Sequence, residues 1–155
     1  MARSTHCACT TILVGKKATL DGSTIIARTE DNEHSCVPKR HIVVPAHTYD
    51  KETFTSQNNG FSLELNGEAL RYTATPEVDT SEGLYEEAGI NSAGVAMSAT
   101  ESVYANEHAL GYDPLVEDGL AEDALVTVVL PFITTAREGI ARVAEIVAKH
   151  GSAES

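Results

Sequence analysis

Two neighbouring stretches near the start of the chain, Cys9-Thr-Thr-Ile-Leu-Val-Gly15 and Thr24-Ile-Ile-Ala-Arg-Thr29, decide the fold. Residues 10–14 and 24–29 are short runs rich in β-branched side chains, which is typical of β-strands. Between them lies Leu20-Asp-Gly-Ser23, and Asp-Gly supplies the positive φ angles of a type I′ hairpin turn. The sequence therefore predicts an antiparallel strand pair at the beginning of the chain.

The β pattern continues through the first two-thirds of the sequence. Residues 41–45 form a third apolar run, and residues 63–70 have the form of a hairpin with Asn66-Gly67 at its tip. Residues 84–90 and 95–100 flank Asn91-Ser-Ala-Gly94, which we interpret as a turn between two further strands.

The last third of the chain changes to a helical period. Residues 122–130 are apolar and compatible with a helix that ends near Pro131. Thr135-Ala-Arg-Glu138 has the form of a capping box, and apolar residues then recur at helical spacing until Gly151, a candidate C-terminal cap. Antiparallel strands followed by two helices indicate an α+β fold with the helices on one face of a sheet.

Composition and charge exclude several classes of protein. The chain has 155 residues, 23 acidic and 11 basic side chains, a net charge of −12 and 42% hydrophobic residues. It is apolar enough to bury a core, and no apolar run approaches the roughly 18–20 residues that span a bilayer. The negative charge disfavours nucleic acid and anionic membranes as partners. Acidic pairs such as Glu86-Glu87 are expected on a solvated face.

The three cysteines are Cys7, Cys9 and Cys36, too few for a disulfide framework. Residues 1–8 contain no apolar segment of the kind found in secretory signals, so a reducing, cytoplasmic location is expected. An odd number of cysteines in such a compartment raises the question of a reactive thiol.

A metal site is the alternative use of these thiols. Cys7, Cys9 and Cys36 stand close in sequence to His6 and His34, and these side chains could together offer nitrogen and sulfur ligands to Zn²⁺ or Cu⁺. Their Cys-x-Cys and His-x-Cys spacings are not those of zinc fingers. We therefore expect neither a metal nor a cofactor.

Cys9 is the candidate nucleophile, because it stands at the start of the first strand. Removal of residues 1–8 would make it the N-terminal residue, and its α-amino group, with a pKa near ~7.7–8.0, could then accept the thiol proton. Without removal, the nitrogen stays in a peptide bond and this base is lost. Cys7 would take the role if processing differed, and the plain alternative for Cys9 is a small buried apolar residue.

Three other residues could complete a site around Cys9. The strand pair would bring Arg28 beside Cys9, where its charge favours the thiolate, and Asp31 could orient the α-ammonium group. Asn91, through its amide or its backbone N–H, is a candidate donor to a tetrahedral oxyanion. Alternatively, Arg28 and Asp31 form a surface ion pair and Asn91 is simply a turn residue.

These residues carry a resemblance to the C69 family of bacterial dipeptidases, also called dipeptidase A or D, to which the eukaryotic secernins are similar. It rests on four segments, Cys9-Thr-Thr-Ile-Leu-Val-Gly-Lys-Lys-Ala18, Asp21-Gly-Ser-Thr-Ile-Ile-Ala-Arg-Thr-Glu-Asp31, Gly89-Ile-Asn-Ser-Ala-Gly-Val-Ala-Met-Ser-Ala-Thr-Glu101 and Val129-Leu-Pro-Phe-Ile-Thr-Thr-Ala-Arg-Glu-Gly-Ile140. The related bile-salt hydrolases and penicillin V acylases share the Cys…Arg-x-x-Asp pattern and the Gly-x-Asn turn.

The resemblance implies an N-terminal nucleophile hydrolase with an αββα sandwich. It implies Cys9 as nucleophile, Arg28 and Asp31 around it, and Asn91 near the oxyanion. Residues 1–8 would be a propeptide or leader, with self-cleavage as one route of removal. Because chains of this family are more than twice as long, residues 9–155 would be the N-terminal portion of a single domain, and the sandwich would be incomplete.

The sequence therefore predicts a cysteine-dependent dipeptidase that acts on dipeptides without metal or cofactor. A second copy of the chain, or the remainder of a longer chain, would be its protein partner. Two alternatives remain at this point. The chain could be an inactive or incomplete hydrolase that serves as a binding or structural module, or it could hydrolyse acyl amides on the same fold.

Overall fold

A computed structural model describes residues 8–31, 37–100 and 105–154 of the chain. It shows a mixed α+β architecture in which strands precede helices, as predicted. The elements are β1 (Ala8–Val14), β2 (Ile25–Asp31), β3 (Ile42–Val44), β4 (His47–Thr55), β5 (Ser62–Ala69), β6 (Tyr72–Ala74), β7 (Ala88–Ile90), β8 (Ala96–Ser98), α1 (Glu107–Tyr112), α2 (Glu122–Val129) and α3 (Ala136–His150).

The strands pair in twos within the part of the chain that the structure describes. The antiparallel pairs are β1 with β2, β3 with β6, β4 with β5, and β7 with β8. A bridge between Tyr72 and Asn91 connects β6 to the end of β7, and the Oγ atoms of Thr11 and Ser98, 2.9 Å apart, connect β1 to β8. The β7–β8 hairpin therefore lies between the β1–β2 pair and the rest of the fold.

The two strands of the predicted first hairpin are confirmed as β1 and β2, but the predicted tight turn between them is wrong. Ten residues, from Gly15 to Thr24, separate the two strands, so Asp21-Gly22 is not a two-residue hairpin turn. Gly22 has φ 73°, but Asp21 does not have the positive φ that a type I′ turn requires. Its carboxylate instead accepts a hydrogen bond from the Ser23 N–H at 3.0 Å.

The predicted hairpin at Asn66-Gly67 is wrong. Residues 62–69 form one continuous strand, β5, which runs through both residues and pairs with β4. The register between Tyr49 opposite Gly67 and Glu52 opposite Leu65 leaves one extra residue on β4. Gly67 adopts φ 91° and Lys51 φ 54°, so the glycine accommodates a β-bulge rather than a chain reversal.

The strand predicted over residues 84–90 is confirmed only in part, because β7 contains only Ala88–Ile90. Tyr85 and Glu87 have φ angles of 44° and 61°, which are incompatible with extended backbone. The predicted turn that follows is present, since Gly94 donates its N–H to the Asn91 carbonyl at 2.9 Å.

The helices pack on the hairpins through α2 and the short 3₁₀ turn Leu130–Phe132 that follows it. Residues of both are among the most deeply buried of the described chain, including Val126, Val128 and Leu130. Helix α3 begins as predicted: the Thr135 side chain accepts a hydrogen bond from the Glu138 N–H, and Gly151 ends the helix with φ 77°. Helix α1 is a third, short helix that the sequence did not predict. None of the described helices is long and apolar enough to cross a membrane.

Candidate active site

The register of the β1–β2 pair places Cys9 beside Arg28. Cys9 lies opposite Glu30 and Arg28 lies opposite Thr11, so the side chains of all four residues project from one face of the pair. The Cys9 Sγ accepts a hydrogen bond from Arg28 Nη2 at 2.9 Å, and Cys9 is only 8% exposed. The two residues that the sequence predicted to be neighbours are therefore in contact at this end of the pair.

The Arg28 guanidinium is anchored on the side away from the sulfur. Its Nη1 donates to a carboxylate oxygen of Glu87 and to the carbonyl oxygen of Ala99, the latter at 2.7 Å. Its Nε is buried and has no acceptor within residues 8–31, 37–100 and 105–154. Arg28 is thus part of a buried ionic group and not of the exposed ion pair with Asp31 that was the alternative prediction.

A second cation, Lys39, extends this ionic group. Its Nζ lies 3.2 Å from Glu30, 3.4 Å from Glu77 and 3.3 Å from Glu87. Glu87 therefore faces both cations, with one carboxylate oxygen toward each. It is only 5% exposed.

The prediction that Glu86 and Glu87 lie on a solvated face is wrong. Glu86 points to the opposite side of the chain from the ionic group and is 4% exposed. Its carboxylate accepts hydrogen bonds from the Tyr72 hydroxyl at 2.9 Å and the Thr127 hydroxyl at 2.9 Å. Burial raises the pKa of the Glu86 carboxyl, and the two hydroxyl donors counteract this rise. Burial also raises the pKa of Tyr72, and the Glu86 carboxylate raises it further.

Asp31 is close to Cys9 through its backbone rather than its side chain. It lies opposite Ala8, so its carboxylate projects from the other face of the pair, where it accepts a hydrogen bond from the Thr29 hydroxyl at 2.9 Å. A hydrogen bond from the Asp31 backbone lowers the pKa of the Cys9 thiol. The position opposite Ala8 places Asp31 alongside the Ala8–Cys9 peptide bond.

The side-chain atoms of Asn91 are all engaged in hydrogen bonds, and its predicted role near the oxyanion stays a prediction. Its Nδ2 donates to the carbonyl oxygens of Leu130 and Ile133, at 2.8 and 2.7 Å. Its Oδ1 accepts from two N–H groups of the turn, and its own N–H donates to Val95 at 2.9 Å. The three residues of β7 also lie between Asn91 and Glu87, which are four residue steps, or about 13 Å of strand, apart. Asn91 joins the turn to the helical layer.

We expect Asn91→Ala to lower the free energy of unfolding by about 3–4 kcal/mol. The substitution removes three buried hydrogen bonds and one partly buried one, which had served two carbonyl oxygens and two N–H groups. Urea unfolding of the complete gene product measures the change. Ser92→Ala, at an exposed position of the same turn, is the matched control. A loss below about 1 kcal/mol would show that these bonds contribute little.

The acidity of Cys9 reflects competing effects. Burial raises the pKa of the thiol most strongly, the Arg28 charge lowers it, and the carboxylates of Glu122 and Glu87 raise it again. The net shift is upward. The predicted lowering by Arg28 is therefore present but is outweighed, and at neutral pH the sulfur is largely a thiol that needs a base.

The residues of the alternative metal site, except Cys9, lie outside the part of the chain that the structure describes. They are His6, Cys7, His34 and Cys36. Among the described residues, no group of three or more histidine, cysteine or acidic side chains could hold a metal ion.

Sequence reasoning missed Lys39 and Glu87, the two residues that complete the ionic group. Neither stands at a characteristic spacing from Cys9. The one available signal was the Glu86-Glu87 pair inside a stretch predicted to be a strand. Adjacent strand residues point to opposite faces, so the two carboxylates were not expected to share one solvated face.

Comparison with known proteins agrees with the resemblance. Residues 8–155 match the model of peptidase family C69. The chain is 54% identical over 147 residues to a probable dipeptidase of Latilactobacillus sakei, covering 95% of this chain and 31% of that protein. It is 46% identical over 149 residues to probable dipeptidase A of Streptococcus pyogenes serotype M3, covering 96% and 32%. A dipeptidase of Bifidobacterium longum is 44% identical over 160 residues, covering 95% and 30%.

The chain thus spans about a third of the length of these relatives. The match covers both the strand pair that carries Cys9 and Arg28 and the helical layer. The chain belongs to peptidase family C69.

Proposed function

We propose that the protein is a cysteine-dependent dipeptidase in which Cys9, after removal of residues 1–8, is an N-terminal nucleophile. The observation that carries the proposal is the hydrogen bond from Arg28 Nη2 to Cys9 Sγ, in a chain whose relatives are named dipeptidases. A thiol at the end of a strand pair, held against an immobilised guanidinium, is a suitable arrangement for nucleophilic attack on a peptide carbonyl.

Removal of residues 1–8 supplies the base that the buried thiol needs. Cleavage of the Ala8–Cys9 bond converts the Cys9 nitrogen from an amide into an amine, which can accept the thiol proton at neutral pH. Asp31 lies opposite Ala8, with its backbone alongside this bond. We propose that it orients the new α-ammonium group.

The reaction follows from these roles. The Cys9 sulfur forms a bond to the scissile carbonyl carbon while its proton moves to the α-amine. The tetrahedral intermediate collapses, the C–N bond breaks, and the α-ammonium returns the proton to the leaving amine. Water, deprotonated by the α-amine, then attacks the thioester, and the C–S bond breaks to regenerate the thiol.

Arg28 is the described residue best suited to meet negative charge in this cycle. It is permanently charged, and one Nη already contacts the sulfur. Its buried Nε has no acceptor within the described ranges, so the same guanidinium retains an unused donor. We therefore give Arg28 the role of electrostatic stabilisation that the sequence assigned to Asn91.

We also propose that the β1–β2 pair belongs to a larger αββα sandwich. The face of the pair opposite to Cys9 is apolar and open, with Ile12 59% and Ile25 50% exposed. Exposed apolar strands of this kind are normally covered by further structure. The relatives are about three times as long as this chain, which leaves ample polypeptide for a second layer.

An assay of the complete gene product tests the proposed function. We expect hydrolysis of dipeptides, an intact mass that lacks residues 1–8, and no effect of a chelator. Penicillin V and a bile-salt amide serve as alternative substrates, and faster cleavage of either would favour the acyl-amide alternative. Full activity with residues 1–8 retained would refute the N-terminal nucleophile mechanism, since Cys9 would then have no α-amine.

A further inference from the structure

Glu87 links Arg28, the arginine that contacts the Cys9 sulfur, to the rest of the fold. One of its carboxylate oxygens accepts a hydrogen bond from Arg28 Nη1, and the other lies 3.3 Å from Lys39 Nζ. Only 6% of its side chain is exposed, so this carboxylate has been withdrawn from water to face two cations. Burial of a carboxylate is costly unless charged partners compensate for it, and both partners are present here.

The backbone around Glu87 holds the same arginine. The Ala99 N–H donates to the Glu87 carbonyl oxygen at 2.8 Å, and the Ala99 carbonyl oxygen accepts from Arg28 Nη1 at 2.7 Å. Arg28 Nη1 therefore sits between the Glu87 side chain and the backbone of the residue that pairs with Glu87. Two acceptors fix Nη1, and Nη2 of the same planar guanidinium donates to the sulfur of Cys9.

Glu87 adopts this position at a conformational cost. Its φ of 61° is in the left-handed region, which is unfavourable by about 1–2 kcal/mol for a residue with a β-carbon. Such a conformation persists only where surrounding contacts impose it. The contacts at this position are those with Arg28, Lys39 and Ala99.

We propose that Glu87 is a positioning residue, whose buried carboxylate clamps Arg28 so that the guanidinium meets the Cys9 sulfur. Lys39 holds the second oxygen of the clamp, and it also contacts Glu30 and Glu77. The role rests on the proposed function, because it matters for catalysis only if Cys9 is the nucleophile. The clamp itself can be tested without any hydrolysis.

A simpler role for Glu87, direct repulsion of the Cys9 thiolate, predicts the opposite change in the acidity of Cys9. As a negative charge near the sulfur, Glu87 disfavours the thiolate directly, as does Glu122, whereas Arg28 and the Asp31 backbone favour it. If direct repulsion were its only effect, removal of the charge would make Cys9 more acidic. If Glu87 acts through Arg28, loss of the clamp makes Cys9 less acidic, because the contact with the cation is weakened.

The rate of alkylation of Cys9 by iodoacetamide, followed against pH, distinguishes the two roles. Alkylation follows the thiolate fraction, and mass spectrometry of the peptide that contains Cys9 isolates its signal in a Cys7→Ser, Cys36→Ser background. The protein is the complete gene product. Glu87→Asp keeps the charge but shortens the side chain by one methylene, and Glu87→Ala removes both charge and reach. Both retain a β-carbon, so neither variant relieves the left-handed backbone as glycine would.

We expect both variants to raise the alkylation midpoint and to lower the rate near neutral pH by about tenfold, which corresponds to a rise of about one pH unit. Glu77→Ala is the matched control, since Glu77 contacts Lys39 and not Arg28, and we expect it to leave the profile unchanged. An unchanged midpoint in Glu87→Asp, or a lowered midpoint in Glu87→Ala, would overturn the proposal. Because Asp tolerates left-handed backbone better than most residues, Glu87→Asp tests the clamp even if Glu87→Ala does not fold.

This measurement separates failure of the clamp from failure of the proposed function. A raised midpoint in an enzyme that hydrolyses no dipeptide would support the clamp and refute the dipeptidase. An unchanged midpoint in an active dipeptidase would refute the clamp alone.

Discussion

Cys9→Ala is expected to abolish dipeptide hydrolysis, with kcat/KM falling by about 10⁴-fold or more. The reason is that the thiol is the only group of the protein that forms a bond to the substrate in the proposed cycle, and alanine offers no replacement. Cys9→Ser should also be nearly inactive, because a hydroxyl is a far weaker nucleophile with the same amine as base. Initial rates on a dipeptide, with the complete gene product, measure the loss.

Two controls separate this chemical role from folding and processing. Cys7→Ala and Cys36→Ala should retain activity, since neither thiol enters the cycle. A version in which Cys9 directly follows the initiator Met gains a free α-amine once that Met is removed, and it should be active without any further cleavage. If Cys9→Ala kept more than about a tenth of the parent rate, another nucleophile would have to be found.

The contact between Cys9 and Arg28 could be predicted because it depends on local information. Runs of β-branched residues predicted the two strands. Antiparallel pairing then brings the start of β1, with Cys9, beside the second half of β2, with Arg28. The loop between them could not be predicted from Asp21-Gly22 alone. An Asp-Gly pair favours a tight turn, but it is also suited to one end of a longer loop. Asp21 occupies such a position and accepts a hydrogen bond from the Ser23 N–H.

Asn66-Gly67 shows the same limit more strongly. The pair is a common hairpin tip in isolation. Here the positive φ of Gly67, opposite Tyr49, belongs to a β-bulge within β5, an eight-residue strand that pairs with β4. The choice between turn and bulge depends on β4, a strand that the sequence analysis did not identify. The positive φ expected of Gly67 is therefore present, but pairing with β4 makes it part of a bulge rather than of a turn.

The rest of the site could not be predicted because it is assembled from distant segments. Glu87 reaches Arg28 across 59 positions, and Asn91 reaches Leu130 across 39. No periodicity indicates which of two adjacent glutamates, Glu86 or Glu87, turns toward a cation and which turns toward hydroxyl groups. The position of Arg28 was readable from the sequence, but the carboxylate that fixes it was not.

Gly89→Ala is expected to lower the free energy of unfolding by about 4 kcal/mol or more. A β-carbon at Gly89 would lie 1.9 Å from the carbonyl oxygen of Thr73 and 3.0 Å from Leu130. The nearer atom belongs to the backbone of β6, so it cannot move aside as a flexible side chain could. Relief requires β7 to separate from β6, which breaks the hydrogen bond from the Ile90 N–H to the Thr73 hydroxyl.

The consequence should extend to the nucleophile, because β7 joins the core to the clamp. Displacement of β7 moves Glu87 at its start and, through β8, the Ala99 carbonyl oxygen that also holds Arg28. We therefore expect Gly89→Ala to yield little folded protein in circular dichroism and urea unfolding, and Cys9 to lose its contact with Arg28 in what remains. Gly15→Ala is the matched control, since a β-carbon there meets no atom within 4 Å. A thermal midpoint for Gly89→Ala within about 2 °C of the parent would show that β6 and β7 are not packed as closely as described.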